Sequence, residues 1–452
     1  MQLGLPHVKT NHRCTTVDGW ELHIVHTKAR DPVCHRLPVV LVPGLGSSGV
    51  YTWDLSPTIS FADHLAGLGW DVFTVEMRGN GLSDKPSLMS HRSRWWSIDD
   101  CVDKDMPAAL KCILDITGAS KVHALGHSMG GMIMVRLLAK QDATSALIHS
   151  LTLVGSGCFL QDSWWKGLSG SVWASRLLYS VPAGSMIRTY SHLAFTRAAS
   201  PFLDNLYFSP DNVDPELARE LLARNFSALS PGVCLQLGTA FDPPGLLTSD
   251  LRTSYADADL LKKVTLPVMA IVGDHDRMCP ASGCLKTLSR FGSREKRYFC
   301  LGPDAGQKHH YGHFDILMGT NVQQEVFPLL TQWLERHDII TASHPPNKVV
   351  TAAAPMPAAV IQPALLIPVA LTRMSHATPT PAAPAAAQGA AAAADPGVVS
   401  PSPPVLQLCT ASAPEHASLH PDGCSHATGQ RSAVFTPGSG FGKRAEAQTS
   451  KL

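Results

Sequence analysis

The chain has 452 residues, 44% of them hydrophobic and 16% charged, with 37 basic residues against 36 acidic ones and a formal net charge of +1. That length exceeds one compact domain and is ample to bury a sizeable core. So even a balance excludes a nucleic acid or an acidic partner held by bulk electrostatics.

The start, Met1 to His12, lacks the basic-then-apolar pattern of a secretory signal. No run of about 18 apolar residues marks a spanning helix. Eleven cysteines, an odd number without repeated spacing, read as reduced thiols of an intracellular protein and not as a disulfide framework. The first core strand expected is Val39–Val42, a short apolar run ending at Pro43-Gly44. Asp71–Val75 is similar and ends before Arg78-Gly79. A helical pattern over Met106–Ile116 precedes a third strand, Val122–Leu125, which ends at Gly126. A second helix is expected over Met129–Leu138. Strands Leu151–Val154 and Val268–Val272 follow, each closed by glycine. Val326, Leu330, Trp333 and Leu334 share one face of a last helix. Buried strands alternating with helices predict an α/β fold, a mostly parallel sheet covered on both faces. Its functional groups belong on loops at the carboxyl ends of the strands.

Two stretches depart from the alternation. From about Cys158 to Lys262 no clean strand appears, and the helical-looking sequence holds Trp164, Trp165, Trp173, Tyr179, Tyr190, Phe195, Phe202, Tyr207 and Phe208. An insertion of that size beside an active face reads as a cap, and the plain role of any one of these aromatics is to form the cap's own core. Composition then breaks near residue 341. The remainder to Leu452 has no Trp or Tyr, 16 of the 34 prolines, and low-complexity runs such as Ala390 to Ala394. Such a segment buries too little apolar surface to offset its ordering entropy, so 341–452 is expected to be a disordered tail after a folded domain over 1–340.

Gly126-His127-Ser128-Met129-Gly130 follows an expected strand and opens an expected helix, which is the nucleophile-elbow pattern. The sharp turn needs small neighbours two residues away. It also sets Ser128 at a helix amino terminus, where free N–H groups favour developing negative charge. A serine nucleophile needs a base, and the base needs a carboxylate to orient it. Gly273-Asp274-His275-Asp276 supplies acids at a strand's carboxyl end, and His309-His310-Tyr311-Gly312-His313 supplies histidines further on. The order Ser, Asp, His suits the pattern. We favour Asp276, with Asp274 as the alternative, and His313 among the three histidines. His309 and His310 read as a polar approach loop. A metal site from His309, His310 and His313 is disfavoured, because no second ligand cluster accompanies it. Oxyanion donors are expected at the backbone of Leu45 and Met129. A phosphate loop over Gly44 to Gly49 lacks the Lys-Ser/Thr ending. Cys279 reads as a packed thiol.

With these motifs in hand, the chain resembles an α/β-hydrolase from about Thr15 to His337. The matching segments are Pro43-Gly44-Leu45-Gly46, Arg78-Gly79-Asn80-Gly81-Leu82-Ser83, the serine motif, Gly273-Asp274-His275-Asp276 and Gly312-His313-Phe314-Asp315. Phe61-Ala62-Asp63-His64-Leu65-Ala66 and Gly69-Trp70-Asp71-Val72-Phe73 are similar to the acid-lipase branch, as is Trp96-Ser97-Ile98-Asp99-Asp100. Pro43 departs from it, since many members carry His there. The resemblance implies a serine hydrolase of carboxylic, lipid-like esters, working through an acyl-enzyme with no metal or organic cofactor. Two alternatives stay open. One is an acyl-CoA thioesterase or acyltransferase with the same triad, where Lys166, Arg188 and Arg197 would meet the CoA. The other is a non-catalytic ligand-binding module that keeps the shell. The last residues, Ser450-Lys451-Leu452, match the peroxisomal address read by an import receptor, so a peroxisome is expected and the cytoplasm is the alternative.

Overall fold

The computed structural model describes residues 7–29, 36–86, 95–163, 166, 201–227 and 229–338. Eight strands form one sheet: β1 Lys9–Thr15, β2 Glu21–Thr27, β3 Val39–Val42, β4 Val72–Glu76, β5 Val122–His127, β6 Ile148–Val154, β7 Val268–Gly273 and β8 Lys296–Leu301. Their order is β1-β2-β4-β3-β5-β6-β7-β8. The pairs β1–β2 and β2–β4 are antiparallel, and every later pair is parallel.

The five strands expected from apolar runs are all present, because each is buried on both faces and needs side chains of one kind. Alternate residues divide between two cores. Val40 and Val42 of β3, with Val268, Ala270 and Val272 of β7, pack under helices Met106–Thr117, Met129–Lys140 and Ala281–Ser289. Val39, Leu41, Met269 and Ile271 face the other way, toward Trp53, helix Phe61–Gly67 and helix Phe327–His337. A one-residue slip would exchange the two sets, so the register is strongly specified.

Strands β1, β2 and β8 were not anticipated, and the reason is chemical. Edge strand β1 alternates exposed and half-buried positions and is mostly polar. In β2, His23 and His26 are buried, which breaks the apolar run. Partners from other segments satisfy them: His23 Nε2 lies 3.0 Å from Asn11 Oδ1, and His26 Nε2 lies 2.9 Å from Asp71 Oδ1. Strand β8 carries Lys296 and Arg297 and is largely half-buried.

Between β6 and β7 the chain leaves the sheet, and its described part divides in two. Leu206, Phe208, Leu221 and Phe226 form a third core with Leu55, Phe314 and Met318. Val233, Phe241, Leu246 and Tyr255 join the first core instead. Tyr207 and Phe208 therefore play the plain packing role for aromatics, with Tyr207 and Phe226 rings 5.7 Å apart. Trp164, Trp165, Trp173, Tyr179, Tyr190 and Phe195 lie outside the described residues, as does the whole of 341–452 with Ser450, Lys451 and Leu452. Among the described residues no helix is long and apolar enough to cross a membrane.

One buried ion pair ties the loops behind β4 together. Arg78, only 2% exposed, sends Nε to Asp105 Oδ1 at 2.8 Å and Nη1 to Asp18 Oδ2 at 2.9 Å. Asp105 is the last residue of the π-helical turn Cys101–Asp105, directly before helix Met106–Thr117, and is fully buried. Removing Asp105 leaves the buried Arg78 with only the more exposed Asp18 to offset its charge. Asp105→Ala is therefore expected to lower stability by about 3–5 kcal/mol, read from urea unfolding; a loss below about 1 kcal/mol would contradict the account.

Candidate active site

The serine sits where β5 turns into helix Met129–Lys140. Ser128 has φ 52° and ψ −125°, a conformation that costs a side-chain-bearing residue on the order of 1–3 kcal/mol. Three bonds hold it there. Its N–H donates to the Val154 carbonyl at 2.9 Å, and its own carbonyl accepts from Gly131 N at 3.0 Å and Ser156 Oγ at 2.7 Å. The flanking glycines are steric requirements. A Cβ on Gly126 would collide with the backbone of Gly131, and one on Gly130 would lie 2.5 Å from the carbonyl oxygens of Val42 and Pro43.

The histidine and acid come from the loops after β8 and β7. His313 Nδ1 lies 2.8 Å from Asp276 Oδ2, with both side chains at most 1% exposed. The other oxygen of Asp276 accepts from Met278 N at 3.0 Å and Cys279 N at 2.8 Å. A carboxylate so placed can only accept, so the imidazole hydrogen sits on Nδ1 and Nε2 presents its lone pair. Asp274 does not reach His313: it takes His310 Nδ1 at 2.6 Å and Tyr311 N at 3.1 Å. His309, His310 and His313 do not converge either, because His313 is buried against Asp276 while His310 is exposed.

Gly155 joins the parts. It follows Val154, which bonds Ser128, and a Cβ on it would lie 3.0 Å from Asp276 Oδ2 and 3.5 Å from His313 Nδ1. Its φ of +51° independently favours glycine. Ser128, Asp276 and His313 thus gather at the carboxyl ends of β5, β6 and β7. Among the described residues no hydrogen bond joins the Ser128 hydroxyl to His313, a contact that commonly tightens only when substrate is bound.

Leu45 follows β3, and Gly44 lets that loop approach the serine: a Cβ on Gly44 would lie 3.0 Å from Ser128 Cβ. Among the described residues neither the Leu45 nor the Met129 amide donates to another group. Both residues line a cavity of about 10 Å³, with Met77, Trp96, Leu229 and Val233 around it. That is room for about one water.

Three residues in the surroundings were not foreseen. His127 donates from Nε2 to the His313 carbonyl at 3.0 Å, and its ring lies 4.7 Å from the His313 ring. Burial, with His313 nearby, pushes its pKa down to about 3, so it stays neutral and holds the His313 main chain. Glu76, buried at the end of β4, accepts from Ser48 Oγ at 2.7 Å and Gly49 N at 2.8 Å. It thereby fixes the chain just beyond Leu45, and it occupies with its own carboxylate the amides that a phosphate loop would offer. Asp315 receives Gly312 N at 2.9 Å, Ser209 N at 3.2 Å and Asn212 Nδ2 at 3.0 Å. It straps the His313 loop to residues 209–212. The sequence signal for all three is a polar residue beside a motif, which by itself names no partner. Cys279 is 2% exposed, and burial pushes its thiol well above the ordinary range, so it is a packed thiol.

Burial pushes the Asp315 carboxyl up from 3.8 to about 7, against the donors that favour its charge. The folded protein then keeps a proton that the unfolded chain has released. The stabilising contribution is complete below about pH 4 and is lost as pH rises through about 7. Between those limits wild type is expected to lose up to about 1.4 kcal/mol per pH unit relative to Asp315→Asn. Denaturant unfolding of both proteins across that range checks this, and a constant difference would refute it.

Comparison with known proteins adds the family. Residues 38–305 match the family model described as alpha/beta hydrolase fold. The chain is 36% identical over 141 residues to Lipase lipl-3 of Caenorhabditis elegans, covering 29% of this chain and 35% of that one. It is 35% identical over 129 residues to gastric triacylglycerol lipase of Rattus norvegicus, covering 27% of this chain and 33% of that one. The matched stretches thus span about a third of the length of these curated relatives. Among solved structures it is similar to an esterase (EaEST) from Exiguobacterium antarcticum, at a TM-score of 0.48 and 18% identity, over 72% of this chain and 100% of that one. With the family model covering more than half of its residues, the chain belongs to the α/β-hydrolase fold family.

Proposed function

We propose that the protein is a serine hydrolase of carboxylic, lipid-like esters, with Ser128 as nucleophile, His313 as general base and Asp276 as its orienting acid. The observation that carries this reading is the buried Asp276–His313 bond beside a serine held in a strained strand-to-helix turn. Ser128 Oγ bonds to the acyl carbon as its proton passes to His313 Nε2, and the carbonyl electron pair moves onto oxygen. The Leu45 and Met129 amides stabilise that oxyanion. Collapse restores the carbonyl and expels the alcohol, which takes the proton from His313. Water then repeats the sequence on the acyl-enzyme, releasing the acid and freeing Ser128. Asp276 holds the ring through Nδ1 and stabilises the imidazolium. No step calls for a metal or organic cofactor.

The lipid-like class is supported by the apolar side chains around the oxyanion cavity and by the lipases to which the chain is similar. A cavity of about 10 Å³ does not hold an acyl chain. For an acyl-CoA substrate, Lys166 is already engaged by Asp242 at 3.2 Å, and Arg188 and Arg197 lie outside the described residues.

Ser128→Ala is expected to keep the thermal unfolding midpoint and to lower ester turnover by on the order of 10⁴-fold or more. Rates over an ester series should rise with acyl length, and each ester should outpace the thioester of equal length. Turnover surviving in the variant would overturn the serine assignment. Thioesters running faster would move the reading to acyl-CoA, and fluorophosphonate labelling without turnover would favour a binding module.

We further propose that Ser450-Lys451-Leu452 directs the protein to peroxisomes through an import receptor. A fluorescent fusion at the amino terminus should be punctate with these residues and diffuse without them. A diffuse signal from both forms would favour the cytoplasm.

A further inference from the structure

A second cluster of chemistry-bearing side chains lies outside the proposed catalytic residues, on the exposed side of the same two loops. Asp274 follows directly on β7, and its N–H donates to the Leu301 carbonyl at 2.9 Å. His275 N donates to the Tyr311 carbonyl at 2.9 Å, and Tyr311 N returns a bond to Asp274 Oδ1 at 3.1 Å. The main chain therefore stitches the β7 loop to the loop carrying His310. On this base the His275 and His310 rings stack with centroids 3.7 Å apart and planes 6° from parallel. His310 Nδ1 lies 2.6 Å from Asp274 Oδ2. One ligand atom from each of the three residues lies within 4.8 Å of the other two.

We propose that Asp274, His275 and His310 form a surface site for a borderline divalent metal ion, with Zn²⁺ the best match. Two imidazoles and one carboxylate are the donors such an ion prefers over Mg²⁺ or Ca²⁺, which take oxygen ligands. Tetrahedral zinc holds its ligands at about 2.0–2.2 Å, hence about 3.3 Å from each other. The three side chains are exposed, and closing a spread of 4.8 Å to that figure requires the two rings to leave their stacked arrangement and turn a nitrogen each toward the ion. Solvent completes the coordination. A neutral imidazole that binds the ion through one ring nitrogen keeps its hydrogen on the other, so metal entry leaves the proton count of His310 unchanged. The bound ion crosslinks two loops that lead, within three residues, to Asp276 and His313.

The test uses full-length protein stripped of metal by chelator dialysis, then titrated with zinc chloride against a chromophoric zinc indicator. Wild type and the neighbouring control His309→Ala should each bind one zinc more tightly, by about 10-fold or more, than His275→Ala and His310→Ala. Zinc should also raise the unfolding temperature of wild type and of His309→Ala but not of the two cluster variants. Far-ultraviolet circular dichroism establishes that all four proteins are folded. The proposal fails if wild type takes up no zinc, or if the cluster variants bind it as wild type does. It stands or falls independently of ester turnover, because neither readout involves Ser128.

Discussion

Close steric approach around one strained residue governs the working end of this molecule. Ser128 adopts a positive φ only because β3, β5 and β6 end close together, and Gly44, Gly130 and Gly155 remove the side chains that would hold them apart. The parallel register makes that convergence possible. Val42 pairs with Gly126, His127 with Val154, and Val154 with Ile271, so the strand ends are level along one edge of the sheet. The cost of the turn, of order 1–3 kcal/mol, is met by two well-packed cores that leave the strands no alternative register.

Around that edge the protein buries carboxylates and pairs them with backbone N–H groups. Asp276 receives the amides of Met278 and Cys279, Glu76 those of Gly49 and Val50, and Asp315 those of Gly312 and Ser209. Buried carboxylates held by N–H donors act as struts: they are costly to desolvate and directional once paired. His127 extends the same logic, since a neutral imidazole gripping the His313 carbonyl holds that residue from its main-chain side. His313 is thereby located by its backbone, by its ring nitrogen and by the strap through Asp315.

The chain between β6 and β7 closes over this arrangement by short backbone contacts. Ser227 N bonds Gly46 O at 2.8 Å, Ser48 N bonds Asn225 O at 2.8 Å, and Phe314 N bonds Tyr207 O at 3.0 Å. These contacts join the segment 207–227 to the loop after β3 and to the loop that carries His313.

What the sequence determined by itself was whatever is dictated locally. The five doubly buried strands and the helices after β4, β5 and β8 follow from runs and periodicities within a few residues, and the serine turn follows from glycines at fixed offsets. Strands β1, β2 and β8 are hidden in the sequence because they carry polar side chains, some with partners elsewhere in the chain, as with His26 and Asp71, 45 residues apart. The candidate acid shows the limit most plainly. Asp274 and Asp276 stand in one loop with nearly the same local sequence, and only the fold turns one toward His313, 37 residues on, and the other toward His310. His127 meets the His313 carbonyl across 186 residues of chain. Such pairings depend on which loops the sheet order sets side by side, a property of the packed whole that no window of sequence contains.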